Sequence, residues 1–218
     1  LLFYSSTEKK PVTLSEYVTR MPESQKDIYY AIGTDPQRID KLPQIEELKE
    51  QGTEILYFTE EVDEFCAQVL RTYQEKPFRS AMSGAAGEDA QEKAKEAADA
   101  HKDVFAFVKE TLGDAVKEVR LSTNLGSHPA CMVPEGGMTF EMEKYFRRVS
   151  PEMQAKADRV LELNPDHPVF AALQLAVAQD PEKAKKYVKI LHTQALMMAD
   201  LPVENAGEYT ELVCELMK

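Results

Sequence analysis

The chain has 218 residues, with 26 Lys and Arg against 38 Asp and Glu, so its formal net charge is −12. This length predicts one or two domains whose core is large enough to fold without disulfides or metals. The acidic balance argues against binding to nucleic acid or to an anionic membrane surface, because both require a basic face. The longest apolar stretch, Val169 to Ala178, is half of the roughly 20 residues that a bilayer span needs.

Three cysteines, Cys66, Cys131 and Cys214, are far apart and form no C-x-x-C pair. An odd, sparse set of cysteines favours free thiols in a reducing compartment, so we expect a cytoplasmic protein. The sequence begins Leu1-Leu2-Phe3-Tyr4, without an initial Met and without the features of a signal peptide. We therefore expect the chain to be a fragment of a longer protein.

The first 84 residues alternate strand-like and helix-like patterns. Thr13 and Glu16 have the spacing of a capping box, which predicts a short helix to about Met21. The apolar runs Ile28–Ile32 and Ile55–Phe58 are too short for helices and predict buried strands.

Two longer helices and a third strand complete this region. One helix is predicted from the Asp35-Pro36 cap to Gly52, and the next begins after a Thr59 cap. A strand is expected at about Phe78 to Met82. The apolar stripe of the second helix is Val62, Phe65, Cys66, Val69, Leu70 and Tyr73. This alternation predicts a small parallel α/β/α sandwich in residues 1–84.

Ser83–Gly87 has the composition of a linker, and the pattern changes after it. Residues 85–218 predict a mixed α+β domain that ends in a helical bundle. Its predicted helices are 88–112, 138–148, about 168–179, 181–198 and 205–217, and its short strands are 116–121 and 130–133.

No catalytic or metal site is predicted. The sequence has no phosphate-cradling G-x-x-x-x-G-K-[ST] or G-x-G-x-x-G motif. His128 and Cys131 offer two metal ligands, whereas zinc needs three or four protein ligands. The carboxylates of residues 60–64 open a helix, where we expect them to be solvated.

The two last helices each have an apolar stripe. Such helices either cap their own domain or pair with a second copy in a four-helix bundle. The candidate dimer residues are Tyr187, Val188, Leu191, Ala195 and Met198 in the first helix and Tyr209, Leu212, Val213 and Leu216 in the second.

A second binding feature is the short helix at 138–148. It carries Met138, Phe140, Met142, Tyr145 and Phe146, more apolar side chains than one face can hold. Methionine is flexible and polarizable, and is common at surfaces that accept varied partners. The pattern predicts either an exposed binding helix or a core-facing helix with one misplaced Phe.

Several segments resemble one family in the same order along the chain. These segments are YVTRM at 17–21 with QKDIYY at 25–30, EILYF at 54–58 with VDE at 62–64, and LELNPDHP at 161–168. They resemble the ninety-kilodalton heat-shock chaperones, and the bacterial form fits best. Pro22 and Ser24 stand where the family has Lys and Gly.

The resemblance implies an assignment for each part of the chain. Residues 1–84 would be the smaller part of the middle domain, and 85–218 the C-terminal dimerisation domain. The helix at 138–148 would contact clients, and the helices at 181–198 and 205–217 would form the dimer. ATP and Mg would bind in an N-terminal domain absent here, so we expect neither cofactor nor catalytic residue.

The partners implied are a second copy, unfolded or partly folded client proteins, and a seventy-kilodalton chaperone. Two alternatives remain. One is a purely structural dimerisation module, and the other is a small α/β ligand-binding enzyme domain. In the latter the ligand would lie at the carboxyl ends of Ile28–Ile32 and Ile55–Phe58.

Overall fold

A computed structural model describes residues 1–33, 35–81, 101–122, 125–153 and 155–217. Its strands are β1 (Phe3–Ser5), β2 (Pro11–Val12), β3 (Ile28–Ile32), β4 (Leu56–Phe58), β5 (Thr72–Tyr73), β6 (Lys76–Ser80), β7 (Glu118–Leu121), β8 (Ala130–Glu135) and β9 (Asp158–Leu163). Its α-helices are α1 (Leu14–Arg20), α2 (Pro36–Ile39), α3 (Pro43–Glu50), α4 (Glu61–Leu70), α5 (Lys102–Leu112), α6 (Phe140–Val149), α7 (Pro168–Gln179), α8 (Pro181–Met198) and α9 (Ala206–Leu216). Short 3-10 helices span Gly113–Ala115 and Pro151–Met153. The predicted linker at 83–87 and the start of the alanine-rich helix at 88–100 lie outside the described residues.

The chain divides into two compact units. The first comprises the described residues of Leu1–Ala85 and Glu141–Ala155, and the second those of Ala86–Phe140 and Lys156–Lys218. Most of α6 therefore belongs to the first unit, although along the chain it lies between the two segments that form the second unit.

The described strands of the first unit form a six-stranded sheet in the order β2-β1-β4-β3-β6-β5. The three inner strands β4, β3 and β6 are parallel, and the remaining pairs are antiparallel. The strands predicted at Ile28–Ile32 and at Ile55–Phe58 are confirmed, the second starting one residue later. The sequence missed the hairpin of β1 and β2, whose strands are too short to show alternation.

Helices cover both faces of this sheet. One face packs with α1 and α4 through Phe3, Val12, Leu14, Tyr17, Ile28, Tyr30, Leu56, Phe58 and Ala67. The other packs with α2 and α3 through Ala31, Ile39, Ile45, Leu48, Ile55, Tyr57 and Ala81. Burial on both faces explains why the inner strands read as continuous apolar runs.

The Tyr17 hydroxyl connects α1 to the strands. The ring is fully buried, and the hydroxyl donates to the Glu54 carbonyl oxygen at 2.8 Å. It accepts from Gln25 Nε2 at 2.9 Å and from the Tyr29 amide at 3.2 Å. Burial raises the pKa of Tyr17 to about 12, so the phenol stays protonated and able to donate.

The sequence predicted one helix between β3 and β4, but the structure has two, α2 and α3. The Asp35 side chain caps α2 as expected, accepting from the Gln37 amide. The helix then ends after Ile39, and α3 starts at position 43. Proline at 43 has no amide hydrogen and disfavours a helical conformation in the residue before it, so the helix cannot run through.

Three expectations for α4 are also wrong. Its N-cap is Glu60 rather than Thr59, and Asp63 completes a capping box by accepting from the Glu60 amide at 3.2 Å. Asp63 is 7% exposed rather than solvated, and burial raises its pKa. The predicted apolar stripe is not buried at the end of the helix, where Val69 is 81% exposed. Side chains that share a helical face are buried only where a neighbour covers them.

In the second unit the described strands form a sheet in the order β7-β9-β8. The central strand β9 is parallel to β7 and antiparallel to β8. The sequence predicted β7 and β8 but missed β9. Two charged side chains in β9, Arg159 and Glu162, are buried. Because charged residues interrupt the apolar run expected of a buried strand, the hydropathy pattern does not indicate β9.

One face of this sheet packs against α5, α7 and α8. The buried stripe of α8 consists of Ala184, Val188, Leu191 and Ala195, with exposed fractions of 0–5%. Both alanines are fully buried, and their small side chains let α8 approach the sheet closely. The bounds predicted for α7 and α8 are confirmed, and α9 is one residue shorter at each end.

The β5–β6 hairpin contains a conformational strain that can be relieved. Its two-residue loop, Gln74-Glu75, has φ values of 48° and 64°. Both lie in the left-handed region, as in a type I′ turn, which favours Asn-Gly. We predict that Gln74→Asn with Glu75→Gly raises the free energy of unfolding by about 1 kcal/mol in urea titrations.

A matched control is Glu23→Gly, at an exposed turn position whose φ is not positive. It should not stabilise the chain, because glycine there only increases the entropy of the unfolded state. Equal stabilisation by both changes would contradict the explanation.

Candidate functional site

The helix α9 lies antiparallel on α8, on the side away from the sheet. Lys186 Nζ contacts Glu215 at 2.7 Å, and Lys189 Nζ contacts Glu208 at 2.6 Å. These ion pairs are between 40% and 49% exposed, so each contributes at most about 1 kcal/mol. These ion pairs therefore contribute little to the stability of the contact between α8 and α9.

The apolar stripe of α9 is only partly covered. Among the described residues of this helix none is buried. Tyr209, Leu212 and Val213 are half-buried, and Leu216 is 37% exposed. An apolar stripe left in this state is suited to pack against a further surface.

The candidate dimer residues of α8 behave differently. Val188, Leu191 and Ala195 are between 0% and 5% exposed and belong to the core of their own unit. They cannot contact a second copy, which corrects the sequence-based expectation. Tyr187 and Met198 are half-buried and remain partly accessible. The sequence showed the apolar face of α8 but not that the sheet already covers it.

A cavity of about 270 Å³ adjoins the end of α8. It is lined by His128, Pro129, Ala130, Gln194, Met197 and Met198. Gln194 Nε2 also lies 3.4 Å from the Tyr209 hydroxyl of α9. Met197 is 46% exposed at its rim.

The predicted client helix is divided between two environments. Phe140 is 6% exposed in the core of the second unit, with the Arg159 guanidinium 5.9 Å from its ring centroid. Met138 lies before the helix and packs against the same core. The expectation that Phe140 is exposed for clients is therefore wrong.

The remaining three residues of this set pack within the first unit. The Phe65 ring of α4 lies 5.5 Å from Tyr145 and 6.5 Å from Phe146, in edge-to-face arrangements. Gln68 Nε2 lies 3.2 Å from Met142 Sδ. Met142, Tyr145 and Phe146 are half-buried, so each remains partly accessible. We refer to Phe65, Met142, Tyr145 and Phe146 as the aromatic cluster.

Sequence reasoning assigned Phe65 only to the core. Its partners are about eighty positions away along the chain, and helical periodicity carries no information about such contacts.

A second cavity, of about 260 Å³, lies at the carboxyl ends of β3 and β4, where the enzyme alternative places a ligand. Its walls include Gly33, Thr59 and Glu60, with Glu141 and Lys144 from α6. Lys144 Nζ contacts Glu141 Oε1 at 2.7 Å, so these two charges compensate one another.

Cys131 is not placed as a metal ligand. Its thiol lies 3.6 Å from Glu162 Oε2, and Arg120 pairs with Glu162 at 2.8 Å. Burial and the Glu162 carboxylate raise the pKa of Cys131, which opposes the thiolate that a metal requires. Within the described ranges, no three His, Cys, Asp or Glu side chains are grouped to hold a metal ion. None of the helices described has both the length and the hydropathy needed to cross a bilayer.

A family model described as "Hsp90 protein" matches residues 1–218. The chain therefore belongs to the Hsp90 family.

Curated relatives include the "Chaperone protein HtpG" of Bacillus subtilis, 48% identical over 220 residues, and that of Clostridium acetobutylicum, 46% identical over 219 residues. Each alignment covers 100% of this chain and 35% of the relative. The chain thus spans about a third of the length of these chaperones.

His192 of α8 has a buried imidazole in surroundings that oppose its protonation. Its Nε2 is buried and has no hydrogen-bond partner in the part of the chain described. Burial, together with the nearby positive charge of Arg159, lowers the pKa of His192 below its usual 6.5, which Glu204 only partly opposes. The unfolded chain therefore takes up this proton at a higher pH than the folded one. The free energy of unfolding is therefore unaffected by protonation of His192 well above pH 6.5, and it decreases as the pH falls below that value.

We predict that His192→Gln reduces the fall in melting temperature between pH 7.5 and pH 5.5, measured by circular dichroism. An undiminished fall in the variant would show that other groups cause the acid sensitivity.

Proposed function

We propose that this chain forms the part of an Hsp90-type chaperone that joins two copies and contacts client proteins. In this assignment residues 1–84 are the smaller part of the middle domain, and 85–218 the C-terminal dimerisation domain. The observation that carries the proposal is α9, a helix whose apolar stripe is only partly covered by its own chain. Membership of the Hsp90 family supports the chaperone function over the enzyme alternative.

Dimerisation would work through the outer side of α8 and the stripe of α9. Two copies related by a two-fold axis would bring four helices together. If these helices keep two copies together, contacts between distant parts of the two chains become intramolecular. Such contacts then form at a high effective concentration. ATP and Mg would bind elsewhere in the chaperone, and this chain would contribute the mechanical connection.

Client contact would use the aromatic cluster. The cluster offers two aromatic rings and a flexible methionine from α6, together with Phe65 from α4. Covering roughly 200 Å² of apolar surface would contribute about 5 kcal/mol before the costs of association, and much less after them. Weak, reversible binding suits a chaperone that must release its clients.

The dimer is tested with charges in α9. We predict that Leu212→Glu with Leu216→Glu gives a folded monomer, because buried charges would oppose association while neither residue belongs to the core. Light scattering over a dilution series should change from 49.2 kDa, twice the chain mass of 24.6 kDa, to 24.6 kDa. Circular dichroism should remain that of the wild type.

Leu191→Glu is the contrasting variant, because this leucine is 5% exposed in the core. It should unfold the second unit rather than give a folded monomer. A dimer that survives both charges in α9 would place the interface elsewhere.

Client binding is tested with Met142→Ser and Phe146→Ser together. We predict at least tenfold weaker binding to a reduced, carboxymethylated protein that cannot refold, measured by fluorescence anisotropy. The dimer should persist, because neither residue lies in α8 or α9.

Met153→Ser is the matched control, since this methionine is 61% exposed and lies outside the cluster. Equal affinity of the wild type and the double variant for the probe would favour the purely structural dimerisation module.

A further inference from the structure

We propose that the cavity at the carboxyl ends of β3 and β4 receives one uncharged aromatic side chain of a bound client. The inference rests on the client contact proposed above and specifies which client side chain is recognised. It depends on three observations: the volume of the cavity, its aromatic walls without excess charge, and its continuity with the aromatic cluster.

The cavity lies where the topology of the first sheet leaves a crevice. After β3 the chain passes to α2 and α3 on one face of the sheet, and after β4 it passes to α4 on the other face. Connections that leave neighbouring parallel strands toward opposite faces open a space at the strand ends, where α/β sheets commonly bind ligands. The helix α6 supplies a further wall, because Met142 and Tyr145 line the same space.

The volume of the cavity matches a single side chain. It is about 260 Å³, whereas sites for drug-sized ligands and cofactors occupy roughly 300–1,000 Å³. An apolar cavity of about 150 Å³ is enough to hold benzene in another protein. The space beside β3 and β4 therefore has room for a phenyl or indole ring but is small for a whole cofactor.

The walls of the cavity favour an aromatic ring. Phe58 at the end of β4, Phe65 in α4 and Tyr145 in α6 all line it. Phe65 and Tyr145 are half-buried, and their ring centroids lie 5.5 Å apart in an edge-to-face arrangement. A further ring beside them can make the same kind of contact, which is more favourable than burial of an equal apolar area alone.

The charged groups of the lining compensate one another. They are two carboxylates and two cations, Glu60 and Glu141 with Lys144 and Arg148. Lys144 Nζ contacts Glu141 Oε1 at 2.7 Å, and the Arg148 guanidinium lies 6.0 Å from the Tyr145 ring centroid. The lining therefore has no excess charge to attract an ionic ligand, and an unpaired charge inside the cavity would be costly to desolvate. An uncharged ring avoids that cost.

The cavity is continuous with the surface proposed to contact clients. Three of the four residues of the aromatic cluster, Phe65, Met142 and Tyr145, also line the cavity. An extended client segment that crosses the cluster presents successive side chains in opposite directions. One of them can enter the cavity while others contact the cluster. An exposed aromatic residue, rather than total hydrophobicity, would then decide which client segments bind.

The test compares two soluble, extended peptides of the same alternating leucine and serine sequence, with either tryptophan or leucine at the centre. We expect the tryptophan peptide to displace a labelled, carboxymethylated protein at a concentration about tenfold lower than the leucine peptide does, measured by fluorescence anisotropy. This chain contains no tryptophan, so the emission of the peptide reports on its own surroundings. That emission should shift to shorter wavelength on binding.

A variant that fills the cavity locates the effect. Thr59 is half-buried, lines the cavity and is not part of the aromatic cluster. We expect Thr59→Phe, whose own ring would occupy the space, to abolish the preference for the tryptophan peptide while the unfolded protein still binds. Thr72→Phe is the matched control, since it makes the same change at an exposed position of β5 outside the cavity lining. It should keep the preference, and both variants should keep the circular dichroism of the wild type.

The outcomes separate this inference from the proposed function. Equal displacement by the two peptides, with the unfolded protein still bound, would overturn the aromatic preference and leave the client contact intact. A preference that persists in folded Thr59→Phe would also overturn it. Free indole that binds where neither peptide does would indicate a small-molecule site instead of a client site. A wild-type chain that binds neither the peptides nor the unfolded protein would overturn both proposals. If Thr59→Phe fails to fold, the peptide comparison on the wild type decides.

Discussion

The close packing of α8 on its sheet is the constraint on which the second unit depends. Ala184 and Ala195 are both fully buried at this contact, so the helix lies near the strands over most of its length. Once one side of α8 is committed to the core, only the opposite side is left to carry α9. A single helix thus separates the core of the unit from the surface proposed to meet another molecule.

The sequence predicted best where local chemistry decides the structure. The Thr13 capping box, the buried strand Ile28–Ile32 and the bounds of α8 all follow from interactions within a few residues. Predictions failed where a distant neighbour decides burial. Leu191 and Val69 both occupy apolar helical faces, yet one lies in the core and the other is 81% exposed. Helical spacing says which side chains share a face but not what covers that face.

The candidate sites show the same limit. The apolar pattern of the short helix drew attention to Met142, Tyr145 and Phe146, and the structure adds Phe65 from another helix. It also removes Phe140, whose ring is enclosed beside Arg159. Residues that act together in a surface need no regular spacing along the chain, so part of such a set stays hidden until the chain is folded.

The central position of β9 has a consequence for how the chain is made. Among the described strands, β7 and β8 do not pair with each other, and each pairs with β9, which is complete at Leu163. Synthesis proceeds from the N-terminus, so both earlier strands leave the ribosome without a partner. The three inner strands of the first sheet, in contrast, are complete by Ser80. Chain elongation therefore imposes an order of assembly, in which the nascent second sheet stays vulnerable to wrong pairing until its last strand emerges.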